Sequence, residues 1–307
     1  MNYIYSIIIP HYNIPELLVR CLKSIPVRED IQVIVVDDCS PDADTYKERF
    51  QEFSRPYLEW YSTPIGGSAG RARNIGLQHA KGKWLIFLDS DDMLVDGVES
   101  ILNEVQNRTE DIIYFDTISV MSNDLTKLSN RNFYHQYFEQ YQIDKDERPF
   151  RYRFHSLWGK VFQNTFIRKY NIRFDQTRYS NDVMFALKVS CTSVRIKVVD
   201  VQLYCVYESD GSLTRNTNWK NYYIRTIVAL DALKYIKSQK RNFEYSYWKG
   251  WYSNLLRTNK LVAVCLALRI CRVAGIKEFV KFLYDRFKTD YPKYYIKFRN
   301  IGNIFRS

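Results

Sequence analysis

The chain has 307 residues, of which 46% are hydrophobic and 26% charged, ordinary for a soluble globular protein long enough to bury a sizeable core. Its net charge of +11 is uneven: residues 219–307 carry 19 Lys and Arg against 5 Asp and Glu, while residues 1–218 carry 26 against 29. The longest apolar run, residues 261–268, falls far below the roughly 20 residues needed to cross a bilayer, which excludes a spanning helix and points to a soluble or peripheral protein.

Strand and helix patterns alternate over the first 120 residues. Residues 3–9 are rich in Ile and end at Pro10, and Asn13 is placed to cap a helix whose inner face is Leu17, Leu18, Cys21, Leu22 and Ile25. Residues 31–36 form a second apolar run closed by Asp37 and Asp38, with a helix after Asp42 or Asp44 that turns Phe50 and Phe53 inward. Residues 58–62 read as a strand, followed by a Gly66-Gly67 turn and a helix over 68–80 with Gly82 as its stop. The strand 84–88, a helix over 97–106 and the strand 112–115 complete the series. Solidly apolar strands between helices predict an α/β fold, a doubly wound, mostly parallel sheet flanked by helices. Residues 121–153 show no clear period and read as a loop or excursion. Order resumes at 157–167, in a helix over 182–191 and in strand-like segments over 194–207, and the chain is mostly helical beyond residue 219.

The run Trp84-Leu85-Ile86-Phe87-Leu88 stops at Asp89, Asp91 and Asp92, three carboxylates in four positions. Ligands of open α/β sheets sit beyond the carboxyl ends of the strands, where crowded carboxylates call for cationic partners. Oxygen ligands alone favour Mg²⁺ or Mn²⁺, ions that commonly bridge substrate phosphates. A parallel sheet brings the strand end at Pro10-His11-Tyr12-Asn13 and the one at Asp37-Asp38-Cys39-Ser40 to the same edge. Gly66-Gly67-Ser68 with Arg71 and Arg73 supplies small residues and positive charge at a helix start beside them. A solvated acidic turn and a plain Gly-rich turn remain the structural alternatives, and no GxGxxG follows the first strand to favour a dinucleotide.

These segments, together with Ala72-Arg73-Asn74-Ile75-Gly76, Leu157-Trp158-Gly159-Lys160, Tyr179-Ser180-Asn181-Asp182 and Ser212-Leu213-Thr214, resemble the family-2 glycosyltransferases of the GT-A fold, inverting enzymes that use nucleotide-sugars. The resemblance spans residues 3–215 and rests on seven short motifs in order and spacing. It implies that Pro10, Tyr12, Asp38 and Arg73 line the nucleoside site, with Asp38 at the uracil edge and Asp89 near the ribose. It further implies Asp91 as the principal ligand of a Mn²⁺ or Mg²⁺ on the diphosphate, assisted by Asp89 or Asp92, and Asp182 as the general base. Trp158 and Lys160 would face the donor sugar or the acceptor. Two departures stand out. Asn181 occupies the place of the family's usual Glu, and no His follows His155 to serve as a late metal ligand.

The expected organisation is a GT-A domain over residues 1–218 and a basic, mostly helical region over 219–307. The first would move a sugar from a nucleotide-sugar, a UDP-sugar foremost, to an acceptor hydroxyl of a glycan or lipid-linked saccharide. A sugar-phosphate nucleotidyltransferase and a degenerate, non-catalytic binding scaffold are the competing readings. Lys and Arg among the aromatics of 219–307 suit an anionic membrane surface or a homo-oligomer contact, and no nucleic-acid motif accompanies the charge. Six cysteines without paired spacing and no signal-peptide pattern point to the cytoplasm, with the inner face of the membrane as a peripheral site.

Overall fold

Strands buried on both faces organise the first of two compact units, Met1–Asn216 and Thr217–Ser307, in the computed structural model, which describes residues 2–51, 58–129, 131–208, 218–239 and 243–290. The elements run β1 (Tyr5–His11), α1 (Pro15–Ser24), β2 (Ile31–Asp37), α2 (Ala43–Gln51), β3 (Leu58–Ser62), α3 (Ala69–His79), β4 (Trp84–Phe87), β5 (Met93–Leu94) and α4 (Val98–Val105). There follow β6 (Ile112–Met121), β7 (Asp124–Leu128), α5 (His135–Asp144), α6 (Arg148–Tyr152), β8 (Lys160–Gln163), α7 (Asn164–Lys169), α8 (Val183–Thr192) and β9 (Ile196–Glu208). The sheet order is β3-β2-β1-β4-β8-β6-β9-β5, with β7 paired to β6.

Every residue of β1, β2 and β4 is buried, and the pleat divides them between two cores. Ile7, Ile9, Val33 and Val35 pack with Leu18 and Leu22 of α1 and Leu102 of α4. Ile8, Ile34 and Val36 pack on the other face with Ala72 and Leu77 of α3 and Phe185 of α8. Helices on both faces explain why these strands are mostly apolar, with the buried Ser6 and Gln32 satisfying each other. The mostly parallel sheet flanked by helices is therefore present, with β5, β7 and β8 running against their neighbours.

Residues 121–153 are not a loop. β6 continues to Met121, and α5 and α6 bury Phe138, Phe150 and Tyr152. Phe138 meets Phe150 edge-on at 4.9 Å, and Tyr134 stacks on Phe154 at 3.9 Å. Asn13 does not cap α1. It sits at φ 50°, the N-cap is Ile14, and Tyr46 Oη donates to Asn13 Oδ1. Nor does Gly82 stop α3; Ala80 closes it in an extended conformation, with its N–H on Gly76 O. The strand expected to end at Pro10 runs on to His11 beside β2; the missing N–H is tolerated because β4 pairs with β1 only as far as Ile8, leaving no strand beside Pro10 on that side. Phe53 and the Ser212-Leu213-Thr214 motif lie outside the described residues.

The turn entering β8 is held by Gly159, at φ +63°, where an added Cβ would lie 2.3 Å from Phe115 O. Phe115 N in turn donates to Gly159 O at 2.6 Å, tying the turn to β6.

The second unit comprises α9 (Trp219–Ser238), α10 (Tyr247–Thr258), α11 (Lys260–Val273) and α12 (Ile276–Asp290). Trp248 and Tyr252 of α10 pack against Phe279 and Phe282 of α12, with Trp248 and Phe282 centroids 5.2 Å apart. α11 buries Ala263, Leu266 and Ile270 and leaves Leu261, Val264 and Leu268 82%, 66% and 71% exposed. Among the described residues no helix is long and apolar enough to cross a membrane.

Gly159→Ala is expected to destabilise the first unit by about 2 kcal/mol or more, because it adds left-handed strain and a backbone clash. Thermal unfolding should show a midpoint lowered by roughly 4–8 °C; an unchanged midpoint would refute the close approach.

Candidate active site

The parallel register of β1, β2 and β4, with His11 opposite Asp37 and Ile8 opposite Phe87, delivers three strand ends to one edge of the sheet. At the first, Pro10 is buried within β1, while Tyr12, 55% exposed, reaches the surface together with Asn13. At the second, Asp37 pairs with His11 Nδ1 at 2.9 Å and accepts from Ser40 N and Oγ. Burial pushes the Asp37 carboxyl up, but the bonds from His11 and Ser40 outweigh it and hold the group below its usual range. Asp38 turns to the loop before α3. Its Oδ2 accepts from the N–H groups of Gly67 and Ser68, both at 2.7 Å, and Oδ1 from Thr63 Oγ1 at 2.9 Å. Ser68 then caps α3.

Arg73, buried on the first turns of α3, joins two distant segments. Its Nη2 donates to Asp89 Oδ1 at 2.6 Å and its Nη1 to Asn181 Oδ1 at 2.7 Å. The charged contact to Asp89 is the stronger type, whereas the neutral Asn181 amide contributes direction. α3 can come this close to residues 175–181 because position 70 is glycine: a Cβ there would fall 2.1 Å from Asp175 O and 2.9 Å from Asn181 Cβ. Asn181 is completed by its Nδ2 donating to Thr177 O at 3.2 Å. The next residue, Asp182, is half-buried at the N-cap position of α8 but makes no side-chain cap bond to that helix. Its charge acts on Lys160 and Tyr134.

At the third strand end the carboxylates take different directions. Asp89 Oδ2 accepts from Trp158 Nε1 at 3.4 Å, and its own N–H donates to Tyr204 Oη. Burial, reinforced by the charge of Asp89 and opposed by Arg131 and Arg20, pushes the Asp91 carboxyl up to about 6. Arg20 Nη2 donates to Asp91 O at 2.5 Å, and its guanidinium lies 3.8 Å over the Tyr207 ring. A half-buried carboxylate crowded by a like charge fits an oxygen-seeking divalent cation, which would relieve both costs. Asp91 could hold such an ion, with the weakly held Asp89 Oδ2 as second donor. Among the described residues the three carboxylates do not form a closed cage, so substrate oxygens and water would complete the shell.

Two expected site residues are turned inward. Asp92 is buried, its oxygens occupied by Tyr204 Oη and Tyr207 N, both at 2.8 Å, so it ties the turn after β4 to β9 instead of facing the cleft. Lys160 has no exposed surface. Its Nζ donates to Phe154 O and Ser156 O beneath the Phe154 ring, and burial pushes its pKa well down. It orders the 154–156 turn and does not reach a sugar. Trp158 remains half-exposed beside Asp89, with Arg131 5.1 Å over its ring. Sequence reading missed Arg20, Arg131 and Tyr204; isolated cations and a strand tyrosine carry no motif, and only contact with Asp89, Asp91 and Asp92 identifies them.

The model of glycosyl transferase family 2 matches residues 6–173, more than half of the chain, and the chain belongs to that family of glycosyltransferases. It is 27% identical over 242 residues to the minor teichoic acid biosynthesis protein GgaB of Bacillus subtilis (strain 168), covering 73% of this chain and 26% of that protein. A poly(ribitol-phosphate) beta-glucosyltransferase of Bacillus spizizenii is 25% identical over 217 residues, 67% of this chain and 32% of its own length. The chain thus spans about a quarter to a third of these relatives. The crystal structure of S. aureus TarS 1-349 in complex with UDP-GlcNAc superposes with a TM-score of 0.56 at 18% identity, covering 94% of this chain and 81% of that one. That likeness shows the GT-A fold.

Asp92→Ala should lower the thermal midpoint of the first unit by several degrees, since two buried donors lose their acceptor at about 1–3 kcal/mol each. Asp91→Ala, which removes a half-buried and repelled carboxylate, should leave the midpoint level or raised. Equal losses in both variants, measured by circular dichroism at pH 7, would contradict the different burial and bonding of the two carboxylates.

Proposed function

We propose that this member of glycosyl transferase family 2 transfers a sugar from a UDP-sugar to a hydroxyl of a surface-polysaccharide acceptor, with inversion at the anomeric carbon. The observation that carries the reading is the Arg73 bridge, which joins Asp89 at the donor edge to Asn181, the residue before Asp182. In this reading Tyr12 and the loop clasped by Asp38 form the nucleoside wall, and Arg73 and Asp89 hold the ribose side. Trp158 covers the donor sugar. A Mn²⁺ or Mg²⁺ on Asp91 would offset charge on the departing diphosphate. Asp182 accepts the acceptor's hydroxyl proton as that oxygen bonds to the anomeric carbon, while the bond to the diphosphate breaks and its electron pair leaves with UDP. The neutral Asn181 keeps Arg73 committed to Asp89, where a Glu would compete for the cation. The relatives' names, teichoic acid biosynthesis and poly(ribitol-phosphate) glucosylation, support a cell-surface polymer as acceptor, and the UDP-GlcNAc complex of TarS supports the nucleotide.

The test is a thermal-shift panel of UDP, GDP, CMP and dTDP with and without Mn²⁺, followed by UDP release from UDP-sugars. UDP with Mn²⁺ should raise the midpoint in the wild type and not in Asp91→Ala. Asp182→Asn should keep that shift while turnover falls by about 10²–10⁴. A shift for another nucleotide alone, or full turnover in Asp182→Asn, would overturn the assignment.

We further propose peripheral attachment to anionic membrane through the second unit. Leu261, Val264 and Leu268 project from one face of α11, bounded by Lys260, Arg269 and Arg272. An apolar stripe edged by cations suits a headgroup boundary. Val264→Ser with Leu268→Ser should reduce co-flotation with phosphatidylserine vesicles several-fold; unchanged flotation with lost self-association would instead make this face an oligomer contact.

A further inference from the structure

We propose that Asp116, His135 and Asp200 form a cation site separate from Asp91, suited to a transition metal in preference to Mg²⁺. The three residues come from β6, the first position of α5 and β9, and their ligand atoms all lie within 4.8 Å of one another. Asp116 Oδ2 is 2.6 Å from His135 Nδ1. Asp200 owes its position to an irregularity in the sheet. Phe115 pairs with Val199, but Asp116 pairs with Gln202, so residues 200 and 201 fall outside the ladder. Bulges of this kind re-aim a side chain that regular pleating would send elsewhere.

The surroundings match what a bound ion requires. His135 turns its other nitrogen, Nε2, toward Glu139 Oε1 at 3.7 Å, one helical turn away. A carboxylate behind a ligating imidazole is the usual outer partner that fixes ring orientation. Asp116 is anchored by its own Oδ1, which accepts from Thr117 N at 2.8 Å, and Gln142 Nε2 reaches Asp200 Oδ2 at 3.4 Å. An imidazole with two carboxylates suits Zn²⁺, Co²⁺ or Mn²⁺, whereas Mg²⁺ prefers oxygen alone. Bond lengths of about 2.0–2.2 Å require the Asp116–His135 pair to open by less than about 1 Å. The ion would take the place of the proton shared between Nδ1 and Asp116, which leaves to solvent.

The site would act on the cleft through its neighbours. Phe115, beside Asp116, holds the Gly159 turn. Tyr134, beside His135, meets the Trp158 ring at 6.3 Å. A bound ion would thus brace the turn that presents Trp158 to Asp89.

The experiment titrates the metal-free full chain with Co²⁺, following its visible absorption bands and the bound metal by elemental analysis. Asp91→Ala should retain one equivalent of Co²⁺, His135→Ala should lose it, and Asp200→Asn, altered at an exposed position, should weaken it roughly tenfold or more. Absence of Co²⁺ binding in Asp91→Ala, or an unchanged spectrum in His135→Ala, would overturn the site. Neither outcome depends on UDP binding or turnover, so the proposed function stands or falls separately.

Discussion

One buried guanidinium holds the two halves of the cleft together. Arg73 is rooted in α3, itself pressed on β1 and β2, and it reaches across to Asp89 after β4 and to Asn181 before α8. A buried cation with a single charged partner is costly unless its remaining donors are met, and Asn181 meets one of them. The geometry depends on glycine at position 70, the one residue type that lets α3 approach the 175–181 segment. The carboxylate of Asp38 works toward the same end, fastening the loop that starts α3. Charge in this cleft serves first to assemble the walls: Asp37, Asp38, Asp89 and Asp92 each fasten one segment to another.

Much of the fold was legible in the sequence. β1, β2 and β4 are apolar at most core positions because both faces are covered, the buried exceptions Ser6 and Gln32 bonding to each other, and each strand gives way to polar residues at its carboxyl end. The acidic clusters marked the strand ends for the same reason. What failed was the reading of residues 121–153, where the buried face is made of Tyr and Phe spread over two short helices, too few turns to show a period. Lys160 misled because its type implies the surface; two backbone carbonyls satisfy its ammonium indoors. Asp91 and Asp92 are chemically identical in sequence, and only the position of Tyr204 and Tyr207, more than a hundred residues on, decides which enters the cleft. The Arg73–Asn181 bond spans 108 residues and leaves no local trace.

The unequal charge of the chain follows the division into units. The sheet-bearing unit is close to neutral, as suits a site that must bind anions by a few placed cations and not by a general field. The helical unit gathers the excess cations around an aromatic core in which Trp248, Tyr252, Phe279 and Phe282 meet. Large rings let a helical unit with so many Lys and Arg bury enough area to hold together.

The antiparallel insertion of β8 between β4 and β6 has a kinetic consequence. As the polypeptide leaves the ribosome, β3, β2, β1 and β4 are complete by residue 87, yet the strand that must cover β4 arrives some 70 residues later. During that interval β4 is an unpaired apolar edge, the form most prone to pair with another chain. The long sequence separation makes this closure slow relative to the local α/β pairings. Capture of β8 is therefore the step at which the nascent chain commits either to its own sheet or to aggregation, and the turn at Gly159 that launches it carries weight for the yield of folded protein beyond its role in shaping the cleft.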